Sequence, residues 1–263
     1  MKKLAILSLL VVLSFGCKQN DDIEYTVYSC VDHSIAQDMF VDVFKVMHRL
    51  VEEYDEYRHD NCIDHLDTNT VGFPLTIVAD FGTDECESQD LRKRKGEIYF
   101  QFSNKWSVPG CMVSISPNGY RVDDYQVSGV ITITNQGDNS QGNQEIGLEV
   151  VGGQIKSPDN TQTISWNCDL ILEWDQGAAG SLVEDDAWLI TGTASGSNRN
   201  STQFEAEVTT PVRCELVCRW MKEGAVEVIP YQREIRELDF GLGDCNELAT
   251  VYVGGKNYTI TLP

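Results

Sequence analysis

The hydrophobic pattern changes character twice along the chain. Residues 4–15 form an uncharged, largely apolar run of twelve after Lys2 and Lys3. Beyond Ser34 the apolar residues Ile35, Met39, Val43, Met47, Leu50 and Tyr54 recur at spacings of three and four, which places them on one face of a helix. Ser34 followed by Gln37 has the form of a capping box, so the pattern predicts a helix over 34–58. Asp38, Asp42, Lys45, Arg49, Glu52 and Glu53 fill its other side. Such an amphipathic helix is expected to cover an edge or face of the structure that follows.

From Phe73 the period becomes two. A strand is expected at 73–81, then a charged turn over 82–95, then a strand in which Ile98, Phe100 and Phe102 alternate with Glu97, Tyr99 and Gln101. The clearest alternation is 164–174, where Ile164, Trp166, Cys168, Leu170, Leu172 and Trp174 share one face; it reads as one half-buried strand or a tight hairpin around 167–169. Further strands are expected at 188–194, 204–208, 213–221, 225–229, 235–240, 249–253 and 258–262. Turn signals stand at Asn118-Gly119, Asn135-Gln136-Gly137, Gly152-Gly153, Lys222-Glu223-Gly224 and Gly254-Gly255. Short strands without helical crossovers predict a mainly β chain. Its expected form is an antiparallel, multi-stranded, sandwich-like sheet domain over 73–263 with one N-terminal helix.

The first apolar run is too short to span a bilayer, which takes about 20 residues. It has the form of a signal peptide over 1–16, with small Gly16 at the cleavage position. Leu13-Ser14-Phe15-Gly16-Cys17 resembles a bacterial lipobox, although Leu13 stands one position early and Ser14 occupies the usual leucine site. That resemblance implies acylation of Cys17 with palmitate-type chains, and a lipidated N-terminus and linker over 17–33. Lys18, Gln19, Asn20, Asp21 and Asp22 are similar to the export signal of Bacteroidetes surface lipoproteins. The expected address is the cell outer membrane, facing outside, with the membrane as a partner through the lipid.

Removing 1–16 takes away two lysines and no acid, leaving 18 basic against 41 acidic side chains, a formal −23. That charge argues against nucleic-acid binding, which needs a positive surface. No Asp-x-Asp-x-Asp-Gly loop points to calcium, and no cofactor is assigned. Eight cysteines remain: Cys30, Cys62, Cys86, Cys111, Cys168, Cys214, Cys218 and Cys245. An even number in an exported chain makes all eight candidates for disulfides. The paired C-x2-C motifs of a zinc site are missing. Within the expected strand 213–221, Cys214 and Cys218 lie about 13 Å apart, too far to bond, and Cys245 is the expected partner of Cys218. His48, His59, His65 and Cys62 cluster in sequence beside many acids, which reads as a polar connection without a metal.

One motif occurs twice: Asp80-Phe81-Gly82-Thr83-Asp84-Glu85-Cys86 and Asp239-Phe240-Gly241-Leu242-Gly243-Asp244-Cys245. Its glycine suits a positive φ, and its aspartate can accept from backbone amides across a turn. With the segment 189–200, Cys218-Arg219-Trp220 and the terminal 255–262, this doubled motif looks like a group of uncharacterised Bacteroidetes lipoproteins. The resemblance implies a β-rich secreted domain and assigns no activity or functional residue.

Catalytic signatures are thin. Ser195 lies off centre in Gly192-Thr193-Ala194-Ser195-Gly196, and all four histidines precede residue 66. Asp123-Asp124 and Asp185-Asp186 are the carboxylate pairs that a hydrolase would use. Trp166 and Trp174 suit sugar stacking or, on the same face as Leu170 and Leu172, a core. The expected role is structural or binding, without catalysis and with an unidentified glycan or protein partner. The alternatives are a glycan-binding accessory protein and a carboxylate-dependent hydrolase.

Overall fold

A computed structural model describes residues 21–53, 62–63, 65–68, 72–88, 90–180 and 182–262. Among these residues are one α-helix, α1 (Asp21–Glu52), a single 3-10 turn at Val183–Asp185 and fourteen strands. These are β1 (His65–Thr68), β2 (Leu75–Asp80), β3 (Cys86–Glu87), β4 (Lys93–Phe102), β5 (Met112–Val122), β6 (Tyr125–Asp138) and β7 (Gln144–Lys156). After them come β8 (Thr163–Gln176), β9 (Ala187–Ser197), β10 (Gln203–Glu215), β11 (Glu223–Pro230), β12 (Arg236–Leu242), β13 (Leu248–Val253) and β14 (Lys256–Thr261). All belong to one antiparallel sheet. Thirteen follow one another in chain order, and the two-residue β3 pairs with β4 beside that path.

Helix α1 starts well before Ser34. The stretch expected as a linker is helical from Asp21, and Ser34 sits inside the helix with its Oγ donating to the Val31 carbonyl at 2.7 Å. The extended preference of Val27, Tyr28 and Val31 is overridden by the cover the sheet provides. That cover is complete: every residue from Asp32 to His48 is buried. Seventeen consecutive buried positions exceed four turns, so no face of the helix meets solvent there. The helix is therefore the axis of the molecule, and it does not lie on one face of the sheet. Its contacts run from β6, β7 and β8 to β11 and β14. The architecture is sandwich-like in this sense, since walls of a single curled sheet face each other through α1.

Glycine-centred irregularities supply the curl. Asn118-Gly119, Asn135-Gln136-Gly137 and Gly152-Gly153, expected as turns, lie inside β5, β6 and β7, each at a shift of register. A bulge bends its strand and adds twist, and needs the same residues as a turn. At one such point Gly153 lies against the helix: a Cβ there would come within 2.7 Å of the Phe40 ring and 2.5 Å of the Trp166 carbonyl. Trp166 stacks on Phe40 at 5.3 Å. β8 is a single strand, and Ile164, Trp166, Cys168, Leu170 and Leu172 all point inward.

β10 joins two strands expected separately and ends at Glu215, with Pro211 in a break of register. Pro lacks the N–H that a regular ladder needs, so it is tolerated at that break. Residues 216–222 leave the sheet and pack on the helix, where Lys45 Nζ donates to the Cys218 carbonyl at 2.8 Å. Arg219 reaches Asp123 at 3.1 Å. The doubled motif behaves as its residues require: Asp80 and Asp239 each accept from the glycine amide two residues on at 2.8 Å, and both glycines have positive φ.

Replacing Gly153 by Ala is expected to lower stability by about 1–3 kcal/mol, because the new methyl has no room between Phe40 and the β8 backbone. Urea unfolding followed by circular dichroism measures it.

Candidate functional site

Sealing a helix inside a sheet leaves its polar side chains to be matched from the sheet. Asp38 is held bidentate by Arg92, Nη2 to Oδ2 at 2.9 Å and Nη1 to Oδ1 at 3.2 Å. Asp42 accepts from Arg94 Nη2 at 2.5 Å and from Tyr120 Oη at 2.7 Å. Arg94 also grips Asp90 through two bonds of 2.7 and 2.6 Å, and Arg92 Nε bonds Asp123 at 2.8 Å. Burial pushes the Asp38 carboxyl up, more than Arg92 pulls it down. Burial acts on Asp42 too, but Arg94 and Arg92 together outweigh it and hold that carboxyl below its ordinary value. Farther up the helix, Asp32 is bound by the Arg199 side chain and accepts from the Arg199 amide. Toward the C-terminal end His48 Nε2 meets Asp186 at 2.7 Å, with its ring edge-on to Trp188 at 4.8 Å and Trp174 at 5.0 Å.

These contacts redistribute the residues singled out from sequence. Asp38 and Asp42, read as a solvent-facing side, are core ion-pair partners. Arg92 and Arg94, read as part of a charged turn, face inward from the start of β4. The spacing of the two aspartates at i,i+4 and of the two arginines at i,i+2 was the available signal. Asp123 and Asp186 are engaged by Arg92, Arg219 and His48, and Trp166 and Trp174 point into the core. His33 and His48 are both interior. Cys17, Lys18, Gln19 and Asn20 lie outside the described residues, as does His59. Asp21 and Asp22 are the first two residues of α1. Among the described residues no cluster of three or more His, Cys, Asp or Glu is arranged to hold a metal ion.

The eight cysteines do not all pair. Cys62–Cys86 and Cys218–Cys245 are bonded, while Cys30, Cys111, Cys168 and Cys214 are buried thiols. Both bonds end on the cysteine of the doubled motif. The expected Cys218–Cys245 link is present, although Cys218 lies after the end of β10 and not in a strand. The four thiols serve as small apolar side chains. Burial pushes Cys30 up to about 12, against a smaller pull from Arg236, and raises Cys168 and Cys214 as well.

The outward face carries concave features large enough for a small ligand. Two adjoining hollows of about 550 and 520 Å³ share Asn167, Ser195, Glu205 and Ile229. Those four are cross-strand neighbours in one row over β8, β9, β10 and β11. A second row, Ser165, Ser197 and Gln203, leads to Tyr231, and a third holds Asp169, Thr193, Glu207 and Glu227. The trough exists because small residues, Ser165, Ser195, Gly196 and Ser197, line its floor between longer neighbours. Its groups are hydroxyls, amides and carboxylates, suited to hydrogen bonding. No histidine lies in the lining of either hollow to act as a base for Ser195, and His33 and His48 are buried on the helix side of the sheet. No family model, curated protein or solved structure matches this chain.

Asp42→Asn is expected to cost about 3–5 kcal/mol, because it leaves two buried guanidinium groups short of a counter-charge; denaturant unfolding at neutral pH measures the loss. His33 supplies a pH dependence. Burial holds its imidazole down at about 4, against an ordinary 6.5, with Gln37 pulling weakly upward. The unfolded chain therefore takes up a proton that the folded chain refuses between those values. Its contribution is intact above pH 6.5 and is lost as the pH falls toward 4, by up to about 3 kcal/mol. His33→Gln should flatten the stability profile between pH 6.5 and 4, and an unchanged slope would remove His33 from the account.

Proposed function

We propose that the chain is a lipoprotein of the outer membrane, acylated at Cys17 and facing outside. Its β domain binds a hydroxyl-rich ligand, a glycan, along the outer trough. The observation that carries the binding reading is the row Asn167, Ser195, Glu205 and Ile229, open to solvent at the centre of two joined hollows. Amide, hydroxyl and carboxylate groups in one plane match the alternating donors and acceptors of a sugar ring. Exposed Tyr231 at one end offers an aromatic edge to its apolar face. Charge is in keeping with this partner, because a neutral polyol is indifferent to a net charge that would repel a polyanion. The anchor is supported by the lipobox-like segment ending at Cys17, four residues before α1 begins.

Two measurements on one preparation test the reading. Cys17→Ala should move the protein out of the membrane fraction or leave it as uncleaved precursor. On a glycan array, the full chain in detergent should bind a subset of sugars. Asn167→Ala combined with Glu205→Gln should lose at least tenfold in affinity, about 1.4 kcal/mol. Equal binding by that variant, or none by the wild type, leaves a purely structural role.

A further inference from the structure

Chain geometry fixes which end of the domain such an anchor would hold. Thr26, in the second turn of α1, accepts from Arg236 Nε at 2.6 Å. Arg236 opens β12 and also donates from Nη1 to the Glu234 carbonyl, so the turn 231–235 is tied to this end of the helix. Asp21 stands about 8 Å farther out, at about 1.5 Å per helical residue. Cys17 can lie at most about 14 Å beyond Asp21 along a fully extended chain. The helix backbone at Thr26, to which this turn is tied through Arg236, is thus within about 22 Å of Cys17.

The same turn has the composition of a membrane-interface contact. Its sequence is Tyr231-Gln232-Arg233-Glu234-Ile235, and all five residues are exposed, Tyr231 at 65 % and Ile235 at 52 %. An aromatic and an aliphatic side chain left in water beside an arginine suit a headgroup layer, where rings sit at the boundary and guanidinium groups meet phosphate. The turn is held in shape: Tyr231 N donates to Gln203 O at 2.8 Å and Arg233 N to Pro230 O at 3.0 Å. Glu205 stands opposite Ile229, two residues from Tyr231, while the row of outward acids Glu207, Glu227 and Glu237 across β10, β11 and β12 lies about four residues down the strand, or about 13 Å from Tyr231. Exposed Val217, Leu242 and Leu248 lie at the opposite end. There Lys45 is level with Cys218, about 29 Å farther along the helix than Thr26.

We propose that the turn 231–235 rests in the headgroup layer of the bilayer that holds Cys17. The trough then starts at the membrane surface and runs away from it. The inference depends on the lipid anchor proposed above, and the test separates the two. The lipidated full chain is reconstituted into phosphatidylcholine vesicles with and without spin-labelled lipid. One variant carries Ile235→Cys and the other Leu242→Cys, each coupled to a fluorophore whose emission moves to the blue in apolar surroundings. These sites bracket β12, and the four native thiols are buried against labelling. The label at 235 should shift to the blue and lose most of its emission to the spin label, and the label at 242 should do neither. Chain that floats with the vesicles but shows equal behaviour at both sites, or quenching at 242 alone, overturns the contact and leaves the anchor standing. Chain that does not float overturns the anchor, and this contact with it.

Discussion

A carboxylate sealed inside a protein must be compensated, and that constraint governs this fold. Asp38 and Asp42 lie on a helix enclosed by the sheet and by segment 216–222, so both are almost entirely withdrawn from water. Desolvation of such groups costs several kcal/mol each unless geometry repays it. The repayment comes from Arg92, just before β4, and Arg94, within it, which reach two helix positions one turn apart. This match sets the register of β4 against α1. It also recruits Tyr120, Asp90 and Asp123, which satisfy the remaining donors and acceptors. A slip of one residue in β4 would turn both guanidinium groups outward and strand two carboxylates. The ion pairs therefore specify the arrangement even where their net stabilisation is small.

The sheet adapts to the helix by bulging, not by ending. Strands of thirteen and fourteen residues, β6, β7, β8 and β10, are long for a globular sheet. They stay wrapped around α1 because glycines at shifts of register let the backbone turn toward the helix. Where the path from β1 to β14 runs out, segment 216–222 fills the side of α1 near Ser34 and Asp38, through Trp220 and Met221. It is fastened by Lys45 to the Cys218 carbonyl, by Arg219 to Asp123 and by Cys218 to Cys245. A disulfide closing a loop of this length contributes about 3 kcal/mol by restricting the unfolded chain. The hollows beside the helix, one at Ile35 and one at Ser34 and Asp38, hold only about 30 and 10 Å³. The larger hollows lie on the outer face, where small residues sit between long ones.

The sequence by itself determined whatever depends on local periodicity and local chemistry. Alternation made β8 legible residue by residue, because the side of a strand that meets the core is a property of every second position. Spacings of three and four announced a helix. The doubled Asp-Phe-Gly motif foretold its own turn geometry, since an aspartate bonding an amide two residues on needs no distant partner. The lipobox-like segment and the polar residues after it are equally local. Tertiary structure decided everything that depends on which distant group arrives. The start of α1 at Asp21, through a stretch that prefers extended backbone, depends on a sheet closing over it. Whether an Asn-Gly pair marks a turn or a bulge depends on the strand alongside, for the same dihedral angles serve both. Cysteine parity allowed four bonds, but only two pairs come close enough, and burial keeps the others as thiols. Asp38 and Asp42 could be read as a solvated face or a buried one until Arg92 and Arg94 were placed beside them. Burial of a charge is settled by its partner, and here the partners lie more than fifty residues away.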